Sequence, residues 1–339
     1  MQNGIAFAGT IAFDEVFHID SYPKSSQLAT IKRIKRSTGG LVTNCAIALA
    51  KIDPSIPVKT IALVGDDDKG KFILEQLNKY PNIDTSGIKI VGETPFTNVY
   101  QSEEDKSRTF FTFRGNSGLF NEETIDFTNL NVDILHIGYI LLLDRLDQED
   151  AEYGTKMAKL LKKAQDTGIK TSIDVVSENS DRYKKLVPPS LKFANYCIIN
   201  EIEAGKTVGF EVRDSDGALI IENIERATYA LKNLGVKEWV IIHAPEGSIG
   251  FDGRKMYKVP SLKIESKFIK GTVGAGDAFA AGVLYGALNN FQLKEAMELG
   301  TASAASSLFE EDSTSGIKPF EELKKLYKET PKRKELGES

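Results

Sequence analysis

Residues 133–176, DILHIGYILLLDRLDQEDAEYGTKMAKLLKKAQDTGIKTSIDVV, carry the pattern that decides the fold. The stretch opens with an apolar run, DILHIG (133–138), and closes with a second one, KTSIDVV (170–176). Between them, AEYGTKMAKLLKKAQ has the spacing of an amphipathic helix. Strands without polar alternation are typical of a parallel sheet that is buried on both faces, in which helices connect successive strands. The stretch therefore predicts a strand–helix–strand unit.

The same alternation extends along the chain in both directions. Further apolar runs lie at 60–65 (TIALVG), 195–200 (NYCIIN) and 239–244 (WVIIHA), and each adjoins a segment with helical periodicity. Repeated alternation of strands and helices predicts an α/β fold with a doubly wound, mostly parallel sheet.

Two segments break this rhythm. Residues 15–36 and 95–114 alternate apolar and polar positions, and the second contains a polar turn, SEEDKS. They predict a small β-layer, a lid, inserted into one domain that spans 1–330. The last residues, 331–339, are polar, and we expect a tail that frays at its end.

Composition excludes several classes of protein. A net charge of −5 argues against nucleic acid as a partner. The most apolar run, Ile134 to Leu143, is shorter than the roughly 20 residues of a membrane helix and predicts a buried strand that enters a loop. The amino terminus does not have the pattern of a secretion leader. Cys45 and Cys197 lie far apart and, with three histidines, form no metal spacing, so we expect a cytoplasmic protein without a His/Cys metal site.

One glycine-rich segment imitates a nucleotide-binding loop. Gly65-DDDKGK-Phe72 comes close to G-x-x-x-x-G-K-[ST] and lies between an apolar run and a helical segment. Three carboxylates would meet the phosphate oxygens, and Phe72 offers no hydroxyl to Mg2+. We therefore interpret it as a tight turn whose acidic residues cap the next helix.

A second glycine-rich segment is the candidate for catalysis. In Gly271-TVGAG-Asp277, Gly274 and Gly276 let the backbone present N–H groups outward, and a helix that starts near Asp277 adds its positive dipole end. Such a cradle binds anions, and Asp277 beside it can accept a proton from a hydroxyl that attacks phosphorus. From this segment alone, Asp277 can equally be an ordinary helix N-cap. The segment is not a dinucleotide-binding pattern, because no third glycine follows.

Four motifs follow one another along the chain. They are GTIAFD, which ends at Asp14, then Gly39-Gly40-LVT-Asn44-CA, then Asn200-EI-Glu203, and finally GTVGAGD. Asp14 alone can be a turn residue, Gly39-Gly40 a plain loop, and Asn200 a helix cap that Glu203 completes. Together, from about Ile5 to Phe320, they resemble the ribokinase-like sugar kinases, the PfkB carbohydrate kinase family.

The resemblance implies roles on the sugar side and for catalysis. Asp14 and Asn44 would bind sugar hydroxyls, and Gly39 and Gly40 would allow close approach of the sugar. Asp277 would be the catalytic base, beside the anion cradle of Gly274, Ala275 and Gly276. Arg114 would reach substrate oxygens or a carboxylate, with a solvated strand face as the alternative.

The resemblance also implies a nucleotide side. There ATP would contact Thr272, Gly274, Gly276, Gly247, Ser248 and Asn200, and Glu203 would hold Mg2+ through water. Two departures stand out. Gly271 replaces an aspartate that in the family helps to hold a monovalent cation, so a potassium requirement is doubtful. Pro245 alters a turn on the nucleotide side.

The expected function is that of an ATP-dependent phosphotransferase that acts on an alcohol group of a small sugar such as ribose or fructose. 2-Keto-3-deoxygluconate and nucleosides remain open as substrates. A non-catalytic sugar-binding or regulatory protein is the alternative of another class, and a nicotinamide-dependent oxidoreductase is a weaker one, because GTIAFD lacks the glycines needed at a pyrophosphate. Apolar lid positions such as Phe110 and Phe111 predict a homodimer through the lid.

Overall fold

The computed structural model describes residues 4–105 and 107–337, in which strands and helices alternate. The strands are β1 (Ile5–Gly9), β2 (Ala12–Ile19), β3 (Ile31–Gly39), β4 (Val58–Val64), β5 (Ile83–Ile90), β6 (Phe96–Ser102), β7 (Arg108–Phe113), β8 (Ile134–Ile140), β9 (Glu149–Asp150), β10 (Gly154–Thr155), β11 (Lys170–Val175), β12 (Tyr196–Asn200), β13 (Trp239–Ala244), β14 (Gly247–Phe251) and β15 (Met256–Pro260). The helices are α1 (Leu41–Ile52), α2 (Asp68–Leu77), α3 (Lys156–Asp166), α4 (Tyr183–Leu186), α5 (Pro188–Leu191), α6 (Glu201–Val208), α7 (Ile221–Asn233), α8 (Ala275–Leu288), α9 (Leu293–Ser307) and α10 (Phe320–Glu329). Short 3-10 helices cover Gly115–Leu119, Glu122–Thr124 and Ser266–Phe268.

The central sheet confirms the predicted fold class. Its nine strands run in the order β15-β14-β13-β12-β11-β8-β1-β4-β5, and those from β13 to β5 are parallel, whereas β14 pairs antiparallel with both β13 and β15. Residues 133–176 contain β8, α3 and β11, and β8 and β11 are parallel neighbours in the sheet. The run Ile134 to Leu143 is a buried strand that ends in a loop, as predicted.

Helices cover both faces of this sheet. Along β1, Ile5 and Phe7 join a core that includes residues of α1, α8 and α9, whereas Ala6 and Ala8 join a second core with residues of α3 and α7. Successive side chains of a strand point to opposite faces, so a strand buried on both sides needs apolar residues at every position. This explains the uninterrupted apolar runs in the sequence.

A separate four-stranded layer lies beside the central sheet, in the order β3-β2-β6-β7. Within it β2 and β6 are parallel, and the other two pairs are antiparallel. The segments 15–36 and 95–114 supply most of these residues, and the strands extend the first segment to Ala12 and Gly39. The predicted small β-layer is therefore present.

Three further features are the turn at Gly65, the polar end of the chain and the length of the helices. The Asp67 side chain caps α2 by accepting a hydrogen bond from Gly70 N–H (2.8 Å), which confirms the interpretation of the Gly65 turn as acidic capping. Within the segment expected to be a tail, Arg333 N–H donates to Ser261 O (2.8 Å) and Leu336 is buried. None of the helices within 4–105 and 107–337 combines the length and apolar character that a membrane crossing needs.

Candidate active site

A cavity of about 400 Å³ opens between the four-stranded layer and the carboxyl ends of the central strands. Here β1 has β4 on one side and β8 on the other, so the strand order reverses, and such switch points are where open α/β sheets bind ligands. Its lining brings together the predicted residues Asp14, Gly40, Asn44, Arg114, Gly274 and Asp277.

A second cavity, of about 460 Å³, lies on the other side of the segment 272–277. Gly274 and Asp277 line the first cavity, whereas Thr272, Ala275 and Gly276 line the second. The segment is therefore a thin wall, with one face toward each cavity. A group that is transferred between a molecule bound in the first cavity and one bound in the second has to pass this segment.

The wall ends in the first turn of α8. Gly274 is the N-cap residue, with φ +79°, and no side chain caps this helix. The first N–H groups of a helix have no partners within it. Ala275 N–H makes a long hydrogen bond to Thr272 O (3.4 Å), so the N–H groups of Gly276 and Asp277 are the ones available to an anion. Asp277 is the third residue of α8, and the alternative in which it serves as the N-cap is therefore wrong.

Asp277 is 5% exposed, and its carboxylate accepts hydrogen bonds from Asn44 and Tyr139, with Cys45 Sγ at 4.0 Å from Oδ1. Asn44 Nδ2 donates to Oδ2 (2.8 Å), and the Tyr139 hydroxyl lies 2.8 Å from Oδ1 and 2.9 Å from Oδ2. Burial raises the pKa of Asp277, and these two bonds act in the opposite direction. The Asn44 Oδ1 atom is buried and, within the described part of the chain, has no hydrogen-bond partner.

Asp14 and Gly40 line the neighbouring part of the first cavity, whereas Gly39 packs against Asp14 and is not among the lining residues. Burial, and secondly the charge of Asp277, raises the pKa of Asp14 to about 7. A Cβ atom at Gly39 would lie 2.2 Å from Asp14 Oδ2, so only glycine leaves space for this carboxylate. Gly40, at φ +81°, caps α1 and thereby places Asn44 in the first turn of that helix. Local backbone geometry thus positions both polar groups.

Arg114 lines the same cavity but already has partners. Its Nη2 donates to Asp144 Oδ1 (2.7 Å) and to Leu142 O (3.0 Å), and the pair is partly exposed. The guanidinium is therefore fixed at the cavity wall by a carboxylate rather than presented as a free cation.

The second cavity receives most of the residues predicted for the nucleotide side. Asn200, Gly247, Thr272 and Gly276 line it. Ser248 is buried at the next position of β14 and is not among the lining residues, because successive strand residues point to opposite faces. The neutral ring of His243, whose pKa burial lowers to about 4, lies beneath Gly276.

Asn200 and Glu203 form a capping box at the start of α6, as expected for a helix cap at Asn200 that Glu203 completes. Asn200 Oδ1 accepts from Glu203 N–H (2.9 Å), and Glu203 Oε2 accepts from Asn200 N–H (2.9 Å). Glu203 Oε1 also accepts bonds from Ser177 and from the Asn200 amide. The Glu203 carboxylate, 4% exposed, thus already has a donor at each oxygen.

Motif reasoning missed two residues of this site, Tyr139 and Asp174. Burial, and then the charges of Glu203 and Asp277, raises the pKa of Asp174 well above its usual value. Tyr139 lies near the carboxyl end of β8, which neighbours β1, and Asp174 lies near the carboxyl end of β11, which neighbours β8. A polar residue at the end of a buried strand was the available signal, because ligands bind at that edge of the sheet.

Gly271 lies against the backbone of a later segment. A Cβ atom there would be 2.8 Å from Glu311 O and 2.9 Å from Glu310 O. Any side chain at position 271 would displace the backbone of Glu310 and Glu311, and glycine in place of the family's aspartate avoids this contact.

Comparison with known proteins gives the fold and the family. The profile described as pfkB family carbohydrate kinase matches residues 10–319. A 5-dehydro-2-deoxygluconokinase of Clostridium botulinum is 25% identical over 320 residues, 92% of this chain and 89% of that protein. A nucleoside kinase of Methanocaldococcus jannaschii is 23% identical over 308 residues, 89% of each. The structure of Arabidopsis thaliana ribokinase complexed with ribose and ATP superposes with a TM-score of 0.77 at 19% identity, over 97% of this chain and 99% of that one.

Proposed function

The chain belongs to the pfkB family of carbohydrate kinases, and we propose that it transfers the γ-phosphate of ATP to a hydroxyl of a small sugar bound beside Asp277. The observation that carries this proposal is the wall formed by 272–277, with a buried carboxylate facing one cavity and its glycine-rich backbone facing the other. In-line phosphoryl transfer puts the attacking hydroxyl and the leaving group on opposite sides of the transferring phosphorus, and two cavities that meet at 272–277 can hold the two substrates in this way.

In the proposed reaction, the oxygen of the sugar hydroxyl attacks the γ-phosphorus of ATP and ADP leaves. Asp277 accepts the proton of that hydroxyl. Asn44 and Tyr139 hold the carboxylate in place. The unpartnered Asn44 Oδ1 accepts a hydrogen bond from a sugar hydroxyl, as does Asp14. Free N–H groups at the start of α8 stabilise the charge on the transferring group.

Asn200 lines the second cavity, whereas its hydrogen-bond partner Glu203 is buried and is not among the lining residues, so these two residues fit Mg2+ held through water rather than by direct contact. Both Glu203 oxygens already accept protein hydrogen bonds, and Mg2+ commonly keeps several waters and binds nucleotide phosphates together with one or two carboxylates. Glu203 and Asn200 would hold the hydrated ion, which when bound offsets phosphate charge. A monovalent cation has no side-chain ligand at Gly271, and we propose no potassium requirement.

We further propose a cytoplasmic homodimer. The two cysteines are free and buried, which suits a reducing compartment. Phe111, 59% exposed, belongs to the apolar outer face of the four-stranded layer, where a second copy can pack.

The test is an ATP-to-ADP coupled assay with Mg2+ over a panel of pentoses, hexoses, 2-keto-3-deoxygluconate and nucleosides, with Asp277→Asn run beside the wild type. We expect turnover with at least one substrate and a loss of about 10²- to 10⁴-fold in the variant. Asp216→Asn, on an exposed loop, is the matched control and should keep full activity.

Two other results would count against the proposal. Wild-type turnover in Asp277→Asn would remove Asp277 as the base. Calorimetric binding of a sugar without turnover of any panel member would instead indicate the non-catalytic binding protein.

A further inference from the structure

The inner face of the four-stranded layer is organised in rows that cross its strands. Register places four residues in each row: Ser37, Asp14, Thr97 and Thr112 in the first row, Lys35, Val16, Val99 and Phe110 in the second, and Arg33, His18, Gln101 and Arg108 in the third. All except Arg33 line the first cavity. The first row contains Asp14, whose carboxyl feels the charge of Asp277, so this row faces the catalytic end.

The cavity is longer than a sugar needs. Rows lie two residues apart along each strand, so successive rows are about 6.6 Å apart and the third is about 13 Å from the first. A volume of about 400 Å³ lies in the range of about 300–1,000 Å³ of pockets that hold drug-sized ligands. A sugar ring at Asp277 occupies the first row and leaves the other two rows free.

The second row offers an apolar surface. Val16, Val99 and Phe110 are neighbours across β2, β6 and β7, and the Phe110 side chain is 54% exposed. Phe110 ends this row on β7 and has Val99 beside it and Val16 one strand further. An exposed aromatic ring that continues a row of β-branched side chains matches a flat, apolar face of a ligand, because π-systems stack face to face with an offset.

The third row offers hydrogen-bonding groups, and part of the positive charge near it is paired. Arg33 pairs with Glu311 (3.0 Å), and Lys35 from the second row pairs with Glu311 (3.5 Å) and Asp312 (3.2 Å). Both acidic residues line the cavity and offset the charges of Arg33 and Lys35. Arg108 also lines it and, within the described residues, pairs with no carboxylate, its Nη2 donating to Lys270 O (3.4 Å). The Gln101 amide makes no hydrogen bond within the described residues and can both donate and accept.

We propose that the substrate is an uncharged nucleoside, with its pentose at the first row and its purine or pyrimidine base between the second and third rows. This inference rests on the proposed function. A base at the far end places the opposite side of the pentose, which carries the primary 5′-hydroxyl, at Asp277. The 5′-oxygen forms the new bond to the γ-phosphorus, the bond to the β-γ bridging oxygen breaks, and the proton passes to Asp277. The products are ADP and a nucleoside 5′-monophosphate.

The first experiment compares kcat/KM, with Mg2+ and ATP, for adenosine, guanosine, uridine and cytidine with ribose, ribose 1-phosphate and 2-keto-3-deoxygluconate. We expect at least one nucleoside to exceed every other compound about tenfold or more, with a 5′-monophosphate identified by phosphorus NMR. Turnover that is highest with ribose or an anionic sugar overturns the nucleoside assignment and leaves the kinase function intact.

Absence of turnover with every compound would reject the kinase function instead. Calorimetry of the wild-type protein with the four nucleosides then decides the assignment independently. Binding of a nucleoside that ribose does not match supports it, and no detectable binding overturns it.

Two variants test where the nucleobase of the substrate binds. Phe110→Ala and Gln101→Ala should each raise KM for the best nucleoside about tenfold and leave kcat within about twofold, because they contact the base and not the transferring group. Their kinetics with ribose should not change. Thr109→Ala, which replaces a side chain on the outer face of β7, is the control. Equal losses with nucleoside and ribose would indicate a merely structural role and contradict the assignment.

Discussion

At the scale of single residues, the Asp277 carboxylate depends on Tyr139, which lies 138 positions earlier in the chain. The Tyr139 hydroxyl lowers the pKa of Asp277 against the effect of burial. We predict that Tyr139→Phe raises this pKa, so that the acidic limb of the pH profile of kcat/KM moves up by about 0.5–1 pH unit. Activity on the acidic limb falls, and part of it returns as the pH rises above this limb.

The control for this prediction lies on the same helix as Asp277. Tyr285→Phe removes a hydroxyl that donates to Asp53 Oδ2 (3.2 Å) and should leave the profile in place. If Tyr139→Phe keeps the wild-type limb, Tyr139 does not tune the base.

Asp14 gives a prediction on stability. Its pKa rises from 3.8 to about 7 on folding, so the folded state favours the protonated form. The contribution is fully present below about pH 4 and is lost as pH rises toward 7, because the unfolded chain then releases the proton more readily. In scanning fluorimetry of the ligand-free protein, the Tm of Asp14→Asn relative to that of the wild type should therefore increase as the pH rises from 5 to 8. A constant Tm difference over this range would refute the coupling.

At the scale of elements, the start of α8 depends on Gly274. Its φ of +79° is unfavourable for other residues, and a Cβ atom would lie 2.3 Å from Ser313 Cβ. We predict that Gly274→Ala displaces the first turn of α8 and Asp277 with it, with a loss of kcat of about 100-fold or more, because sub-ångström positioning decides the rate of transfer.

A second glycine separates this effect from simple strain. Gly168 has a similar φ, +84°, with no atom within 4 Å of the added Cβ. Gly168→Ala should lose about 1–2 kcal/mol of stability and keep its kcat. Similar kcat values for the two variants would show that the contact with Ser313 is unimportant.

At the scale of the whole molecule, the outer face of the four-stranded layer predicts association. Phe17 and Tyr100 stack there at 5.0 Å, and Ile34 and Phe111 are half exposed beside them. We predict by light scattering a species of twice the 37.3 kDa subunit mass, and Phe111→Glu should convert it to the monomer. Tyr229→Glu, an exposed aromatic position on α7, is the control. A wild-type species of monomer mass at micromolar concentration would exclude this dimer.

The same scale explains why Phe110 and Phe111 differ in role. Both look alike in the sequence as apolar positions of a lid. In the layer, Phe110 faces the cavity and Phe111 lies on the outer face, because neighbouring strand residues point to opposite sides. The sequence alternation indicated two faces, and only the position of the layer beside the central sheet decided which face meets a ligand.

The sequence by itself determined the α/β class, the small β-layer and the glycine-rich loop that ends at Asp277. These features depend on local periodicity and on backbone conformations that glycine permits, both of which are written into short stretches of chain. Only the tertiary structure decided that Tyr139, Asn44 and Asp174 surround Asp277, that 272–277 separates two cavities, and that Ser248 lies outside both. These outcomes depend on the order β12-β11-β8-β1-β4, which brings the ends of distant strands together at one edge of the sheet. Side-chain patterns that repeat every two or 3.6 residues carry no record of that order.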